Sequence, residues 1–302
     1  MKKRLILLTL LLSGFLSFAQ QDAQFTQYMY NTININPAYA GSRGVMSVFA
    51  LHRTQWVGLD GAPVTNTASI NTPLNNSNLG LGISIINDKI GPTDENTISA
   101  DLSYTIPTSE TFKLSFGIKA TGNLFSLDAS KLNPVVSDPT IRDYNNKFTP
   151  NIGAGVYLHS DKAYIGLSVP NFIESNRYDD NEVAIFKEKI NFYLITGYVF
   201  DLNYNVKFKP ALLTKIVTGA PAQVDISGNF LFSDKFTVGV AYRWSAAVSA
   251  MVGFQVTDGL YIGYGYDLET TKLANYNAGS HEVFLRYEIF KKNNKITTPR
   301  FF

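Results

Sequence analysis

The sequence predicts an all-β fold: a transmembrane antiparallel β-barrel of about 14 strands in an outer membrane, with an N-terminal leader able to plug its lumen. Three observations lead there. Apolar and polar residues alternate with a period of two from about Val45 onward, as in strands with one face against an apolar medium. The alternating segments run roughly 9 to 13 residues, the length of a tilted strand crossing a bilayer. The connections are short at one set of strand ends and mostly long at the other, the sorting that separates periplasmic turns from extracellular loops.

The chain opens on "MKKRLILLTLLLSGFLSFAQ". Lys2, Lys3 and Arg4 precede an apolar run, Leu5 to Phe18, which ends at Ser17-Phe18-Ala19. This reads as a secretory signal peptide over residues 1–19. A run of about 14 is short of the ~20 residues of a spanning helix, and no later stretch approaches that length without charge, Gly or Pro. A membrane location for the mature chain therefore requires strands. Cleavage removes three of 26 basic residues and none of the 24 acidic ones, leaving 23 against 24. A near-neutral chain argues against nucleic-acid binding. The absence of cysteine excludes disulfides and thiolate metal sites.

Residues 20–45 form the leader, with "FTQYMYNTININPAYAG" at 25–41. It has neither a helical nor a strand period. A barrel of this size encloses a polar lumen too wide for wall side chains to fill. Tyr28, Tyr30, Asn34, Asn36 and Tyr39 suit such an interior, because they hydrogen-bond while their bodies pack. Residues 22–44 are therefore expected to form a plug or lid at the periplasmic side, or else a flexible linker. Pro37 forces Asn36 into an extended conformation, and Gly41 permits the turn into the first strand.

The barrel is expected over 46–290, with strands near 46–57, 64–73, 79–88, 96–107, 111–124, 148–159, 162–170, 189–200, 205–217, 222–232, 235–244, 247–257, 259–267 and 280–290. In "TFKLSFGIKA", Phe112, Leu114, Phe116 and Ile118 share one face while Lys113, Ser115, Gly117 and Lys119 share the other. "KFTVGVAYRW" and "HEVFLRYEIF" repeat the pattern. Loops at 125–147, 170–188 and 268–279, with "DKIGPTDE", are expected on the extracellular rim. An open sheet edge cannot survive in hydrocarbon, so the last strand should pair with the first. The basic tail "KKNNKITTPRFF", 291–302, is then periplasmic, either solvated or docked on a partner.

At the outer end of the first strand, His52, Arg53, Gln55 and Trp56 form a candidate rim for cargo, although Trp56 also suits an interfacial aromatic anchor. Arg53 should face away from Trp56 unless a bulge intervenes. Lys113, Lys119, Lys207, Lys209, Lys215, Arg243, Arg286, Glu282 and Glu288 are expected to form a mutually paired lumen. Catalysis has little support. His52, His159 and His281 lie on separate strands, and Ser280, His281 and Glu282 alternate faces and cannot form a relay. No histidine pair has metal spacing, and Gly-Tyr-Gly at 263–265 follows no βαβ unit. No enzyme, metal or cofactor is expected.

Several segments carry a resemblance as a set: "DAQFTQYMYNTININPAYAG", "HRTQWVGLDGAPVTNTASINTPL", "GLGISIINDKIGP", "NIGAGVYLHSDKAYIGLSVPNF", "FKPALLTKIVTGAPAQVDISGNFLF", "AMVGFQVTDGLYIGYGYDLET" and "GSHEVFLRYE". Together they resemble the PorP/SprF family from Gln24 to about Glu288. The resemblance implies a non-enzymatic outer-membrane subunit of the type IX secretion and gliding-motility machinery. Its implied partners are outer-membrane lipid, periplasmic ring components, and a secreted cargo or adhesin C-terminal domain. The resemblance does not separate a core subunit from a cargo-dedicated paralogue. The alternative is a plugged porin or hydrophobic-solute transporter.

Overall fold

The computed structural model describes residue 26 and residues 28–75, 77–132, 143–174 and 189–290. The expected signal peptide, the tail and the middle of two long loops lie outside the described residues. The strands are β1 (Met46–Thr54), β2 (Val64–Pro73), β3 (Leu79–Ile90), β4 (Thr93–Pro107), β5 (Lys113–Leu127), β6 (Tyr144–His159), β7 (Ala163–Val169), β8 (Asn191–Tyr198), β9 (Phe200–Asn203), β10 (Val206–Val217), β11 (Gln223–Phe232), β12 (Phe236–Arg243), β13 (Ala247–Gln255), β14 (Leu260–Glu269) and β15 (Ser280–Ile289). β8 and β9 both pair with β10, so they are one crossing interrupted at Val199. The wall is thus an antiparallel barrel of 14 crossings.

Closure runs through the chain's two ends. β1 pairs with β15 along its whole length, from Met46↔Ile289 to Thr54↔His281. On the far side β10 pairs with β11. With β8 and β9 taken as one crossing, each described strand pairs on both sides, as lipid, which lacks groups to pair with an open edge, requires. Among the described residues, no helix is long and apolar enough to cross a membrane.

The alternation places apolar side chains outside. Ile118 and Val240 are each 61% exposed and Leu167 is 58% exposed, while Ser115, Lys119, Ser168, Asp267 and Glu282 point inward and are buried. Such an outer face is stable only against hydrocarbon. Near the short-turn rim, Tyr198, Phe200, Phe208, Phe230, Phe232 and Phe236 form a row with successive ring centroids 4.6–6.5 Å apart. This is an aromatic girdle at a membrane boundary.

Two differences from the sequence expectation concern wall height. "DKIGPTDE" is a tight hairpin, not a long loop: β3 continues to Ile90, and only Gly91 and Pro92 separate it from β4. Gly91 has φ +54, which glycine tolerates at such a turn. β5 and β6 likewise extend to Leu127 and back to Tyr144. The reason is polar pairing above the hydrocarbon. The Asn87 amide donates to Asp94 and Asn96, each at 2.9 Å, and Thr65 donates to Asp88 at 2.6 Å.

Candidate functional site: the occupied lumen

The leader fills the lumen. It folds as three short 3-10 turns, Tyr28–Tyr30, Thr32–Asn34 and Pro37–Tyr39, before β1 begins. Tyr28, Met29, Tyr30, Ile33, Ala38, Tyr39 and Ala40 are all buried, in one cluster with Phe49, Tyr157, Tyr164, Leu213, Met251, Tyr261 and Phe284 of the wall. The segment is not confined to the periplasmic side. Its first described residue, Thr26, lies beside Arg53, Asp267 and Glu282, near the long-loop ends of β1, β14 and β15. It runs from there to the short-turn rim.

Ionic groups hold both ends. Thr26 donates through its hydroxyl to Asp267 (2.5 Å) and through its backbone N–H to Glu282 (3.2 Å). Arg53 bridges the two carboxylates at 2.6 and 3.1 Å. At the other end Arg43 pairs with Glu288, which also faces Arg286 at 3.3 Å. Arg286 lies over the Tyr261 ring at 5.2 Å, and Tyr30 stacks on that ring with the two hydroxyls 2.9 Å apart.

Between these anchors, glycines make the floor. Added methyl groups at Gly80, Gly82, Gly117 and Gly155 would collide with Ala40, Ile33, the Pro37–Ala38 backbone and Asn36 respectively. Asn36 is extended (φ −134°, ψ 108°) ahead of Pro37; its side chain accepts from the Ala38 N–H and donates to the Val156 carbonyl at 3.1 Å. Asn34 donates to Thr67 at 3.1 Å. Gly41 has φ +70 and turns the chain between Gly80 and Pro73. At Gly80 and Gly117 leader and wall thus meet main chain to main chain, and at Gly82 and Gly155 the wall admits the Ile33 and Asn36 side chains, approaches that Cβ atoms would prevent.

The other expected residues are distributed. Lys119 pairs with Asp101 at 3.1 Å, and Arg243 with Asp225 at 3.0 Å. Lys209 and Lys215 lie over the rings of Tyr164 and Tyr193 at 4.7 and 5.8 Å. Lys207 pairs with Asp234 at 2.6 Å at the short-turn rim, and Lys113 is exposed. Trp56 is not a strand residue: β1 ends at Thr54, and Trp56 sits in a turn with φ +45. Strand parity with Arg53 therefore does not apply. Its indole N–H donates to Glu269 at 3.3 Å, while Arg53 points into the lumen and Gln55 continues the chain by bonding the Pro63 carbonyl. Thr26, Arg43 and the role of the lumen-facing glycines were not read from the sequence, although Gly117 was placed on the polar face. For the glycines a signal existed, since Gly117 and Gly155 share strand parity with lumen-facing Ser115 and Tyr157.

On the lipid side, behind Gly117 and Gly155, the wall carries an apolar hollow of about 670 Å³, bordered by Leu102, Tyr104, Phe116, Val156, Leu167 and Phe192. No group of three His, Cys, Asp or Glu able to hold a metal occurs among the described residues.

Residues 17–287 match the family described as type IX secretion system membrane protein PorP/SprF. The chain belongs to that family. A closed barrel with an apolar outer face, in this family, is a bacterial outer-membrane protein. In a PorP/SprF protein so placed, the short-turn rim faces the periplasm and the long-loop rim the exterior. No curated protein matches the sequence. Among solved structures, Omp33 of Acinetobacter baumannii is 9% identical, with 81% of this chain and 98% of that one covered and a TM-score of 0.49. A FadL homologue of Pseudomonas aeruginosa is 13% identical over 92% and 96%, with a TM-score of 0.45. The CymD monoaromatic hydrocarbon channel is 11% identical over 92% and 97%, with a TM-score of 0.47. Likeness at this level carries no functional argument. The fold rests on the closed sheet.

Proposed function

We propose that this PorP/SprF protein is a non-enzymatic subunit of the type IX machinery that supports export or surface attachment of cargo proteins such as adhesins. The observation that carries this reading is the filled lumen in a chain of this family. Leader residues 28–41 occupy the interior with buried aromatic and amide side chains, so the barrel acts by binding. The extracellular loops would meet a secreted cargo domain. The periplasmic turns and the basic tail would meet ring components. A porin or hydrophobic-solute transporter needs a continuous path, and the leader's contacts with β4, β5, β6, β14 and β15 obstruct one.

Affinity capture of the tagged protein from solubilised outer membranes tests the reading, together with surface labelling of cargo in a deletion strain. Co-capture of ring components and loss of surface cargo are expected. Solute flux through the purified, intact barrel, with neither of those effects, would reassign it as a transporter.

A further inference from the structure

The wall holds the middle of the leader largely by its main chain. The Lys119 ammonium donates to the Ile33 carbonyl at 3.2 Å, the Ser168 hydroxyl to the Ile35 carbonyl at 2.7 Å, and the Ser103 hydroxyl to the Ala40 carbonyl at 2.7 Å. The Asn71 side-chain oxygen accepts from the Gly41 N–H at 3.4 Å. These four groups come from β5, β7, β4 and β2; three of their targets are carbonyls that any residue would present there, and the fourth is the amide of Gly41, whose φ of +70 between Gly80 and Pro73 favours glycine. Beneath them, Gly80, Gly82, Gly117 and Gly155 provide a floor without side chains.

The leader's sequence-dependent bonds behave differently. Those from Thr26, Tyr30 and Arg43 gather toward its two ends, on β1, β14 and β15. Between the ends, Asn31 accepts from the Ser69 hydroxyl at 3.1 Å, Asn34 donates to Thr67 and Asn36 donates to the Val156 carbonyl. The middle of the lumen is therefore a trough that grips the main chain of a turned polypeptide, with anchors at either end specific for this one.

We propose that the trough over β2–β7 is a peptide-binding site whose resident occupant is leader segment 33–41, and that a segment of an exported polypeptide able to take the same turned path displaces it. The anchors set the threshold for exchange. A tethered occupant competes at an effective concentration on the order of millimolar, so an incoming segment gains the site once the end anchors are released. This deepens the export reading above and takes its ligand class from it.

The test uses the full chain in nanodiscs, with the two anchors weakened by Thr26→Val and Arg43→Gln. The probes are a fluorescent peptide of residues 33–41, INPAYAG preceded by Ile-Asn, and a peptide of the same composition shuffled ahead of the retained final glycine. Because the protein has no cysteine, Ala38→Cys reports release through its labelling by a water-soluble maleimide. The proposal expects labelling to rise at least tenfold over the anchored Ala38→Cys chain. It expects both peptides to bind the released form, with affinities within about tenfold of each other. It also expects Ser103→Ala with Ser168→Ala to weaken both peptides alike. A cysteine that stays protected, absence of peptide binding after release, or binding of the native peptide alone would each overturn it. Should the double variant fail to give a heat-modifiable barrel, Arg43→Gln alone is read by the same criteria. Failure here with cargo lost from the deletion strain would sink only the trough. Peptide binding with cargo retained would sink the export reading instead.

Discussion

The two walls of the lumen solve the same packing problem in opposite ways. Along β3–β7 the wall retreats: glycines stand where side chains would meet the leader, so its backbone at 37–40 and the side chains of Ile33 and Asn36 lie against the sheet. Along β12–β15 and β1 the wall advances with Met251, Tyr261, Phe284, Phe49 and the charged groups Arg53, Asp267, Glu282 and Arg286. Glycines occur there too, but with another use. Added methyl groups at Gly239, Gly253 and Gly263 would strike Asn229, Tyr261 and Phe284, which are wall side chains. One half makes room for the leader, and the other makes room for its own large residues to reach the leader. The difference assigns shape to one side and affinity to the other.

Breaking the ionic side should have the largest effect. Arg53→Ala leaves Asp267 and Glu282 buried without their cation, a change expected to cost about 3–5 kcal/mol, read as a lower urea midpoint for refolding into bilayers. The glycine side comes next. Gly117→Val drives a branched side chain into Pro37 and Ala38 and should cost about 1–3 kcal/mol by overpacking. The matched change Gly239→Val, which meets the wall side chains Asn229 and Met251 rather than the leader, should leave a cysteine at position 38 protected where Gly117→Val exposes it. Equal labelling of the two would erase the distinction between the walls. Tyr30→Phe removes the hydroxyl contact with Tyr261 but keeps the stacked ring, so a loss of about 1 kcal/mol is expected in the same unfolding assay. Trp56→Phe loses only a part-exposed bond to Glu269 at the extracellular rim, and about 0.5 kcal/mol or less should separate it from the parent.

How much of this was legible follows from the range of each contact. Strand alternation is local, so the barrel and its closing pair β1–β15 could be read from residues such as Val283, Leu285 and Tyr287 set against Glu282 and Arg286. The taller wall at β3–β6 was not, because Asn87, Asp94 and Asn96 are polar residues that read as loop until their cross-strand bonds are seen. The extended Asn36 and the turn at Gly41 follow from single-residue sterics and were legible. The leader's path was not. It depends on Thr26 meeting Asp267 and Arg43 meeting Glu288, partners more than two hundred positions away that no periodicity links.

The leader touches β1, the first strand made, and also β14 and β15, the last. The leader therefore lies across the seam that joins the chain's own first and last strands. It can lie in place as the seam zips. Its hydroxyl, guanidinium and aromatic contacts then serve as a jig that brings the two edges into register. A chain shortened ahead of Met46 should therefore assemble more slowly than the intact one, whatever its final stability.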